Sequence, residues 1–344
     1  MKINEAKLQQ IVAKWTNNTD LNGISLHLHD LNSGTNWQAA AGNLADEKPF
    51  YLASINKMLL ATISMQWVDA GKLQLEASIF DYLDPAFFGG IHRIQGVDHT
   101  AEITVAHLLS HRSGLTCYLL DKGADQQQHM QKQLAGANEA WPISRVVDWH
   151  HGIEALFKPG AAHQAHYSET NFRLLGQILE KVSGKTTEQL LETLFESCGM
   201  TQSGVLSKTN ARLVRVFHRE KEIQLDNYWN ATAHDCYSTA SDLQRFAQAF
   251  FTGRLFNANH LKQMQQWHKI FNPFSYGMGL QKFALPWWMP PFSSKFQFIG
   301  HSGSVGSFVW LMPAKQLLIT GSFNQAAKPQ LPFRKLIGLL SRYA

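Results

Sequence analysis

The sequence predicts a mixed fold of the α/β class (α+β), with strands near both ends of the chain and helices between them. Residues 23–29 and 35–41 alternate as strands do, and the turn at 30–34 joins them into a β-hairpin. Residues 69–249 show the pattern of helices and loops. Four further strand patterns follow, at 276–283, 296–301, 305–312 and 316–324. The 344 residues are enough for one large domain or two closely joined domains.

A helix is predicted near each end of the chain. At the start, apolar residues recur at helical spacing from Leu8 to Trp15, as they do in a surface helix. At the other end, an amphipathic helix is expected over 332–343. These two helices flank the predicted strands.

Composition argues against nucleic-acid or membrane partners. The net charge of +5 comes from 31 basic and 26 acidic residues without long runs, whereas nucleic-acid binding needs clustered Lys and Arg. No stretch approaches the roughly 18 apolar residues of a membrane span, and the start lacks the apolar core of a signal peptide. The three cysteines lie far apart in no metal-type spacing, which favours reduced thiols. We therefore expect a cytoplasmic protein without metal or cofactor.

The segment Phe50–Val68 contains the first candidate catalytic residues. It is almost wholly apolar, and a helix that is apolar on every side is a buried one. Ser54 is the only serine in the sequence with a lysine, Lys57, three residues later. Residues three apart on a helix share a face, so this spacing places a nucleophile beside a base. The alternative interpretation is a helix N-cap at Ser54 and a lysine whose ammonium reaches solvent.

Two further helices carry polar residues of interest. Residues 102–115 predict a short helix on which His107 and His111 share one face. Some zinc sites use that spacing, but without a nearby carboxylate a structural role is favoured. Residues 167–184 predict a helix with Tyr167 on the loop before it, where the side chain either packs or is aimed into a cleft.

Three irregular stretches complete the pattern. In residues 298–307 (FIGHSGSVGS), glycines around His301 allow the backbone to approach a ligand closely, although His301 alone would more often be structural. The Pro-rich stretch 286–291 is predicted to be a loop that overhangs the same edge. The polar, Gln-rich stretch 121–140 is predicted to be a surface excursion or a lid.

Several short motifs occur in order along the chain. Ser54-Ile55-Asn56-Lys57 is followed by ITVAHLLSHRSGL and by Tyr167-Ser168-Glu169, and then come LFESCGM, YSTASDLQRF, YGMGL and His301-Ser302-Gly303. In this order they resemble the motifs of the penicillin-recognising serine hydrolases of the class C β-lactamase type. That family has Ser-x-x-Lys and Tyr-x-Asn at the first and third positions, and it also contains D-Ala-D-Ala carboxypeptidases, D-aminopeptidases and carboxylesterases.

The resemblance implies a β-lactamase/transpeptidase-like fold. Its antiparallel sheet is built from the first and last parts of the chain, flanked by terminal helices, with an inserted all-helical domain. We expect a discontinuous sheet domain of residues 1–68 and 260–344 and a helical domain of residues 69–259. The active site is expected at the seam between them.

The resemblance also implies roles for single residues. Ser54 is the nucleophile, Lys57 the general base and Tyr167 a general acid or base, with either Lys57 or Tyr167 taking the first proton. Lys57 can serve only if its buried surroundings leave it uncharged. The backbone N–H groups of Ser54 and Ser304 are expected to form the oxyanion hole. The expected substrate-binding residues are Glu169, His301, Ser302 and Gly303.

Two departures from the family pattern bear on the substrate. His301-Ser302-Gly303 stands where β-lactamases of this class carry Lys-Thr-Gly, and it resembles the His-Thr-Gly of the carboxypeptidase branch. Glu169 stands where an amide-bearing Asn is usual; when ionised, it repels an anionic substrate and holds Lys57 in its charged form. We therefore rank a small ester first, a D-amino-acid peptide or other carboxypeptidase-type substrate second and a β-lactam third. A non-catalytic acyl-binding sensor and an acyltransferase are the alternatives.

Overall fold

The computed structural model describes residues 4–17, 21–123, 126–208, 213–223, 235–285, 296–328 and 330–341. The helices within these residues are α1 Glu5–Thr16, α2 Asn56–Asp69, α3 Pro85–Phe88, α4 Val105–Leu109, α5 His129–Leu134, α6 Ile143–His151, α7 Glu169–Ser183, α8 Thr187–Ser197, α9 Ala240–Phe251, α10 Asn259–Met264 and α11 Leu331–Leu340. The strands are β1 Gly23–Asp30, β2 Asn36–Gly42, β3 Phe50–Tyr51, β4 Arg93–Ile94, β5 Val97–Asp98, β6 Gly204–Val205, β7 Phe217–His218, β8 Lys221–Glu222, β9 Cys236–Ser238, β10 His268–Phe271, β11 Phe274–Tyr276, β12 Gln281–Ala284, β13 Gln297–Ser302, β14 Ser307–Met312 and β15 Leu317–Ser322.

The main sheet contains eight antiparallel strands from both ends of the chain. Their order is β10-β11-β12-β13-β14-β15-β1-β2. The two ends of the chain meet where β1 pairs with β15, with Leu26 opposite Gly321. The predicted fold class, a mixed fold around an antiparallel sheet, is therefore confirmed.

Helices cover both faces of this sheet. Successive residues of a strand point to opposite faces, and in β14 the side chains of Phe308 and Trp310 pack with the terminal helices α1 and α11. Val309, which lies between them, packs in a second core with α2, α7, α8 and α9. Burial on both faces explains why β14 and β15 are apolar runs without alternation. No helix in the described parts of the chain is long and apolar enough to cross a bilayer.

The prediction of one strand over 276–283 is wrong. The structure has two strands, since β11 ends at Tyr276 and β12 begins at Gln281, and it adds β10, which was not predicted. Between them Gly279 has a φ of +68°, and a Cβ there would lie 2.1 Å from the Cβ of Ala61 on α2. The YGMGL motif is therefore a turn that packs directly on the helix behind Lys57. The Pro-rich stretch 286–291 and positions 342–343 of the last predicted helix lie outside the described residues.

Candidate active site

Ser54 lies on a 3₁₀ turn, Ala53–Ile55, immediately before α2. The N-cap residue of α2 is Ile55, so the N-cap interpretation of Ser54 is wrong. Lys57 lies in the first turn of α2 and only 1% of its surface is exposed, so its ammonium does not reach solvent. Every residue from Asn56 to Met65 is buried, in agreement with the all-round apolar pattern.

The turn that carries Ser54 is held against the turn between β13 and β14. Ala53 has a φ of +48°, a left-handed conformation that costs a non-glycine residue roughly 1–2 kcal/mol. The Ser307 hydroxyl donates a hydrogen bond to the Leu52 carbonyl at 2.7 Å. A Cβ on Gly303 would lie 2.3 Å from the same carbonyl, so only glycine permits this approach. These contacts keep the strained turn in place beside residues 302–304.

Ser54, Lys57 and Glu169 form one hydrogen-bonded group. The Lys57 ammonium donates to Ser54 Oγ at 3.3 Å and to Glu169 Oε2 at 2.5 Å. The Ser54 hydroxyl makes a long hydrogen bond of 3.5 Å to Glu169 Oε1. Glu169 is the first residue of α7 and is 19% exposed, so this ion pair is largely removed from water. The Glu169 carboxylate therefore contacts both the Lys57 nitrogen and the Ser54 oxygen.

Tyr167 reaches the same group from the loop before α7. Its phenol is hydrogen-bonded to the Ser54 hydroxyl, and its ring centroid lies 5.3 Å from Lys57 Nζ. Burial, and then the Glu169 carboxylate, raise the pKa of Tyr167 well above its usual value despite that hydrogen bond. Because the phenol keeps its proton at neutral pH, it is suited to donate a proton and not to take the first one.

Two histidines that the sequence patterns single out, His301 and His111, lie behind the site. The His301 side chain is fully buried, with Nε2 2.9 Å from the Tyr276 hydroxyl and Nδ1 2.9 Å from the Ser302 carbonyl oxygen. Burial, and then the charge of Lys57, lower its pKa to about 3, so the imidazole is neutral. His111 is also buried, and its Nδ1 accepts hydrogen bonds from the Ser168 N–H and the Asn171 amide. A structural role explains both; His301 is buried and does not line the cavity, and its contact with substrate stays a prediction.

The turn after β13 brings three predicted residues to the site. Ser302, Gly303 and Ser304 line the same cavity as Ser54. The Ser302 hydroxyl and N–H both donate to Gln281 Oε1, at 2.9 and 3.1 Å. Within the described residues, neither the Ser54 N–H nor the Ser304 N–H donates to a backbone or side-chain acceptor. Two free backbone donors therefore border the cavity beside the Ser54 hydroxyl.

The cavity has a volume of about 300 Å³. Sequence reasoning missed several of the residues that line it: Asn56, Tyr118, Leu119, Leu120, Phe172, Arg173, Asp235, Phe271 and Gln281. Met130, on α5, comes from the predicted excursion 121–140, of which residues 124 and 125 lie outside the described chain. Asn56 lies inside the Ser54–Lys57 motif and Gln281 directly follows YGMGL, and these positions were the only available signal for the two residues. The excursion therefore contributes to the cavity wall.

A buried thiol also adjoins the site. The sulfur of Cys117 accepts a hydrogen bond from the Glu169 N–H at 3.3 Å. Burial, and then the Glu169 carboxylate, raise the pKa of the Cys117 thiol to about 12. The thiolate is the nucleophilic form, so Cys117 does not compete with Ser54 as a nucleophile.

Comparisons with known proteins agree with this geometry. A family profile described as Beta-lactamase matches residues 9–339. PbpX of Bacillus subtilis, whose name describes a penicillin-binding protein, is 27% identical over 243 residues, which cover 67% of this chain and 52% of PbpX. The chain spans about half the length of the curated relatives that it matches.

Solved structures show the same fold. A D-stereospecific amidohydrolase from Streptomyces sp. superposes with a TM-score of 0.75 at 23% identity, over 94% of this chain and 95% of that protein. EstCE1, a hydrolase with promiscuous acyltransferase activity, superposes with a TM-score of 0.78 at 18% identity, over 98% of each chain. At these identities the likeness is evidence for the fold alone. Because the family profile matches nearly the whole sequence, the chain belongs to the β-lactamase family of serine hydrolases, which work through an acyl-enzyme.

Proposed function

We propose that this chain hydrolyses a small ester through an acyl-enzyme on Ser54. One observation carries the proposal: the Ser54 hydroxyl lies within hydrogen-bonding reach of both Lys57 and Tyr167, in a cavity bordered by free backbone N–H groups. A nucleophile, a base and a proton donor are the groups that acyl transfer needs.

The pair of Lys57 and Glu169 is proposed to take the proton of Ser54. While Lys57 is an ammonium ion it cannot accept a proton, but Glu169 Oε2 is 2.5 Å from its nitrogen. Lys57 passes one proton to Glu169 and receives the Ser54 proton in exchange, so that the carboxylate is the net acceptor. Glu169 is then a catalytic residue as well as part of the cavity wall.

The remaining steps use the other groups of the cavity. The Ser54 oxygen attacks the carbonyl carbon, and the N–H groups of Ser54 and Ser304 stabilise the oxyanion. The phenol of Tyr167 protonates the leaving oxygen and regains a proton from the Lys57–Glu169 pair. Water then attacks the acyl-enzyme, which releases the acid and frees Ser54.

The charges of the cavity favour an ester over a β-lactam. Lys57 is paired with Glu169, so its positive charge is not available to a substrate carboxylate. An alkoxide leaves more readily than an amine and needs less assistance from acid–base catalysis. An ester is therefore the easier substrate for a site whose base rests in an ion pair. A D-amino-acid amide is the second candidate, because Glu169 and Asp235 both line the cavity and can attract its ammonium group. The Streptomyces amidohydrolase supports this second candidate, and EstCE1 supports a hydrolase with acyl transfer as a side reaction.

The site is also proposed to lie at a seam between two domains. Tyr167 and Glu169 come from residues 69–259, which we assign to the helical domain. Ser302 and Ser304 come from residues 260–344 of the sheet domain. The turn before α2 lies between them, and this placement supports the predicted division.

Covalent labelling tests the proposed function. A fluorophosphonate is expected to add once to the wild-type protein and not to Ser54→Ala. Ser64→Ala is the matched control, because Ser64 is buried on the same helix and donates to the Leu60 carbonyl away from the cavity. Equal labelling of wild type and Ser54→Ala would refute the proposal. An ester-derived adduct that persists for hours would support the acyl-binding sensor instead.

A further inference from the structure

A second cavity of about 480 Å³ lies beside the first. It is bounded by strands β10 to β12 and by α11. Eight of the fifteen described residues that line it are apolar: Ile270, Phe271, Pro273, Phe274, Phe283, Leu285, Phe333 and Ile337. The rings of Phe274, Phe283 and Phe333 pack on one another, with centroids 4.5 to 5.5 Å apart. The apolar wall is therefore formed by well-packed aromatic side chains, as in most ligand pockets.

The two cavities adjoin each other and share part of their walls. Tyr167, Phe271, Gln281 and Ser302 line both of them. Phe271 is 58% exposed, which leaves an aromatic ring at the shared rim. Ser54 lines the first cavity. Its hydroxyl is hydrogen-bonded to Tyr167, which also lines the second cavity. A molecule bound at Ser54 can therefore extend past Tyr167 into the apolar space.

Charged groups are unevenly divided between the cavities. Lys57, Glu169, Arg173 and Asp235 line the first. None of the described residues around the second is acidic, and its one basic residue, Arg334, is exposed. Among the described lining residues, a cationic group finds no acidic partner and an anionic group finds only the exposed Arg334, whereas a hydrocarbon chain gains from leaving water.

We propose that the second cavity binds a hydrocarbon chain on the alcohol portion of the ester. This proposal rests on the function proposed above and names the substrate class more closely. The group that protonates a leaving oxygen must lie within hydrogen-bonding distance of it, and Tyr167 borders both cavities. When the ester C–O bond breaks and the Ser54 ester forms, the alcohol leaves with the proton from Tyr167. The acyl portion stays in the first cavity.

Two series of esters test the assignment. One series keeps the acetyl group and lengthens the alcohol from ethyl to octyl; the other keeps ethyl and lengthens the acid. Each methylene added to the alcohol is expected to raise kcat/KM about threefold to fourfold until the cavity is filled, or about 100-fold from ethyl to hexyl acetate. The acid series is expected to show a much smaller rise. A flat alcohol series, or a steeper rise with the acid, would overturn the proposal.

Substitutions on α11 test whether the rise of kcat/KM with alcohol length depends on this cavity. Ile337→Trp fills the space and is expected to lower the hexyl-to-ethyl ratio by about tenfold or more. Gly338→Trp is the matched control, because a Cβ at that neighbouring position meets open space. Leu285→Trp fills the cavity from the opposite wall and is expected to act like Ile337→Trp. If the hexyl-to-ethyl ratio of kcat/KM is the same in all three variants, the hydrocarbon binds elsewhere and the proposal is wrong.

Alcohol binding separates this proposal from the proposed function. Calorimetry measures the binding of 1-octanol to the Ser54→Ala variant and needs no catalysis. We expect this variant to bind octanol, and we expect the double variant Ser54→Ala/Ile337→Trp not to bind it. Binding with no fluorophosphonate adduct in the wild type would reject the catalytic mechanism and retain the site. An adduct with no octanol binding would retain the mechanism and reject the site.

Discussion

The substitution Glu169→Gln tests the most unusual feature of the site, the ion pair of Lys57 with Glu169. At an effective dielectric constant of about 20, two unit charges 2.5 Å apart attract each other by roughly 6–7 kcal/mol. In the proposed mechanism Glu169 accepts a proton from Lys57 across this contact. Because general acid–base catalysis contributes typically about 10²- to 10⁴-fold, the variant is expected to lose about 10²-fold in kcat/KM for a neutral ester at pH 7.

Thermal unfolding gives a second readout of the same substitution. The variant should melt at a lower temperature than the wild type, since removal of one partner of a buried ion pair costs about 3–5 kcal/mol.

The assay is steady-state hydrolysis of p-nitrophenyl acetate at pH 7, followed by thermal unfolding of the same samples. Glu196→Gln is the control for charge, because Glu196 is exposed on α8 and does not line the cavity. A Glu169→Gln variant with wild-type kcat/KM and a wild-type melting temperature would refute the reasoning.

Three further predictions follow from the geometry. Gly303→Ala should lower the acylation rate at least about tenfold, because a Cβ on residue 303 would push away the Leu52 carbonyl and with it the turn that carries Ser54. Gly338→Ala, in open space, should have no effect. Stopped-flow acylation measures both. Tyr167→Phe should slow ethyl acetate hydrolysis about 10²-fold and p-nitrophenyl acetate much less, since nitrophenolate leaves without a proton; equal losses would remove Tyr167 as the acid. Burial lowers the pKa of His301 from its ordinary value of 6.5 to about 3 in the folded state. The unfolded state therefore binds the extra proton, and stability falls as pH drops from about 6.5 towards 3. In urea unfolding, His301→Gln should reduce the loss of stability between pH 7 and pH 5 by about 2 kcal/mol relative to wild type; an unchanged pH dependence would show that His301 titrates normally.

Much of the fold follows from local patterns. The β1–β2 hairpin has alternating strands and a turn sequence, and α7 ends at Gly184, whose φ of +68° is the left-handed cap that glycine favours. The all-round apolar helix after Ser54 is buried as its pattern indicates. Each of these features depends on residues that are neighbours in sequence, so the sequence alone was sufficient to predict them.

The rest depends on contacts that no local pattern contains. The cavity wall combines Tyr118, Met130 and Gln281, which come from distant segments of the chain. His301 lies on β13, a strand covered on both faces, and its sequence neighbours do not show which face borders the cavity. The turn at Gly279 was predicted to be strand, because the contact of Gly279 with Ala61 of α2 is made by a distant part of the chain and leaves no local pattern. The division at residues 69 and 259 stays a prediction.

The central claim is that the hydroxyl of Ser54 becomes acylated. Its most direct test is intact-mass analysis of an acid-quenched reaction with p-nitrophenyl acetate, followed by peptide mapping. We predict one acetyl group on the peptide that contains Ser54, and none in the Ser54→Ala variant. Hydrolysis with no acetylated protein, or acetylation that survives in Ser54→Ala, would contradict the mechanism.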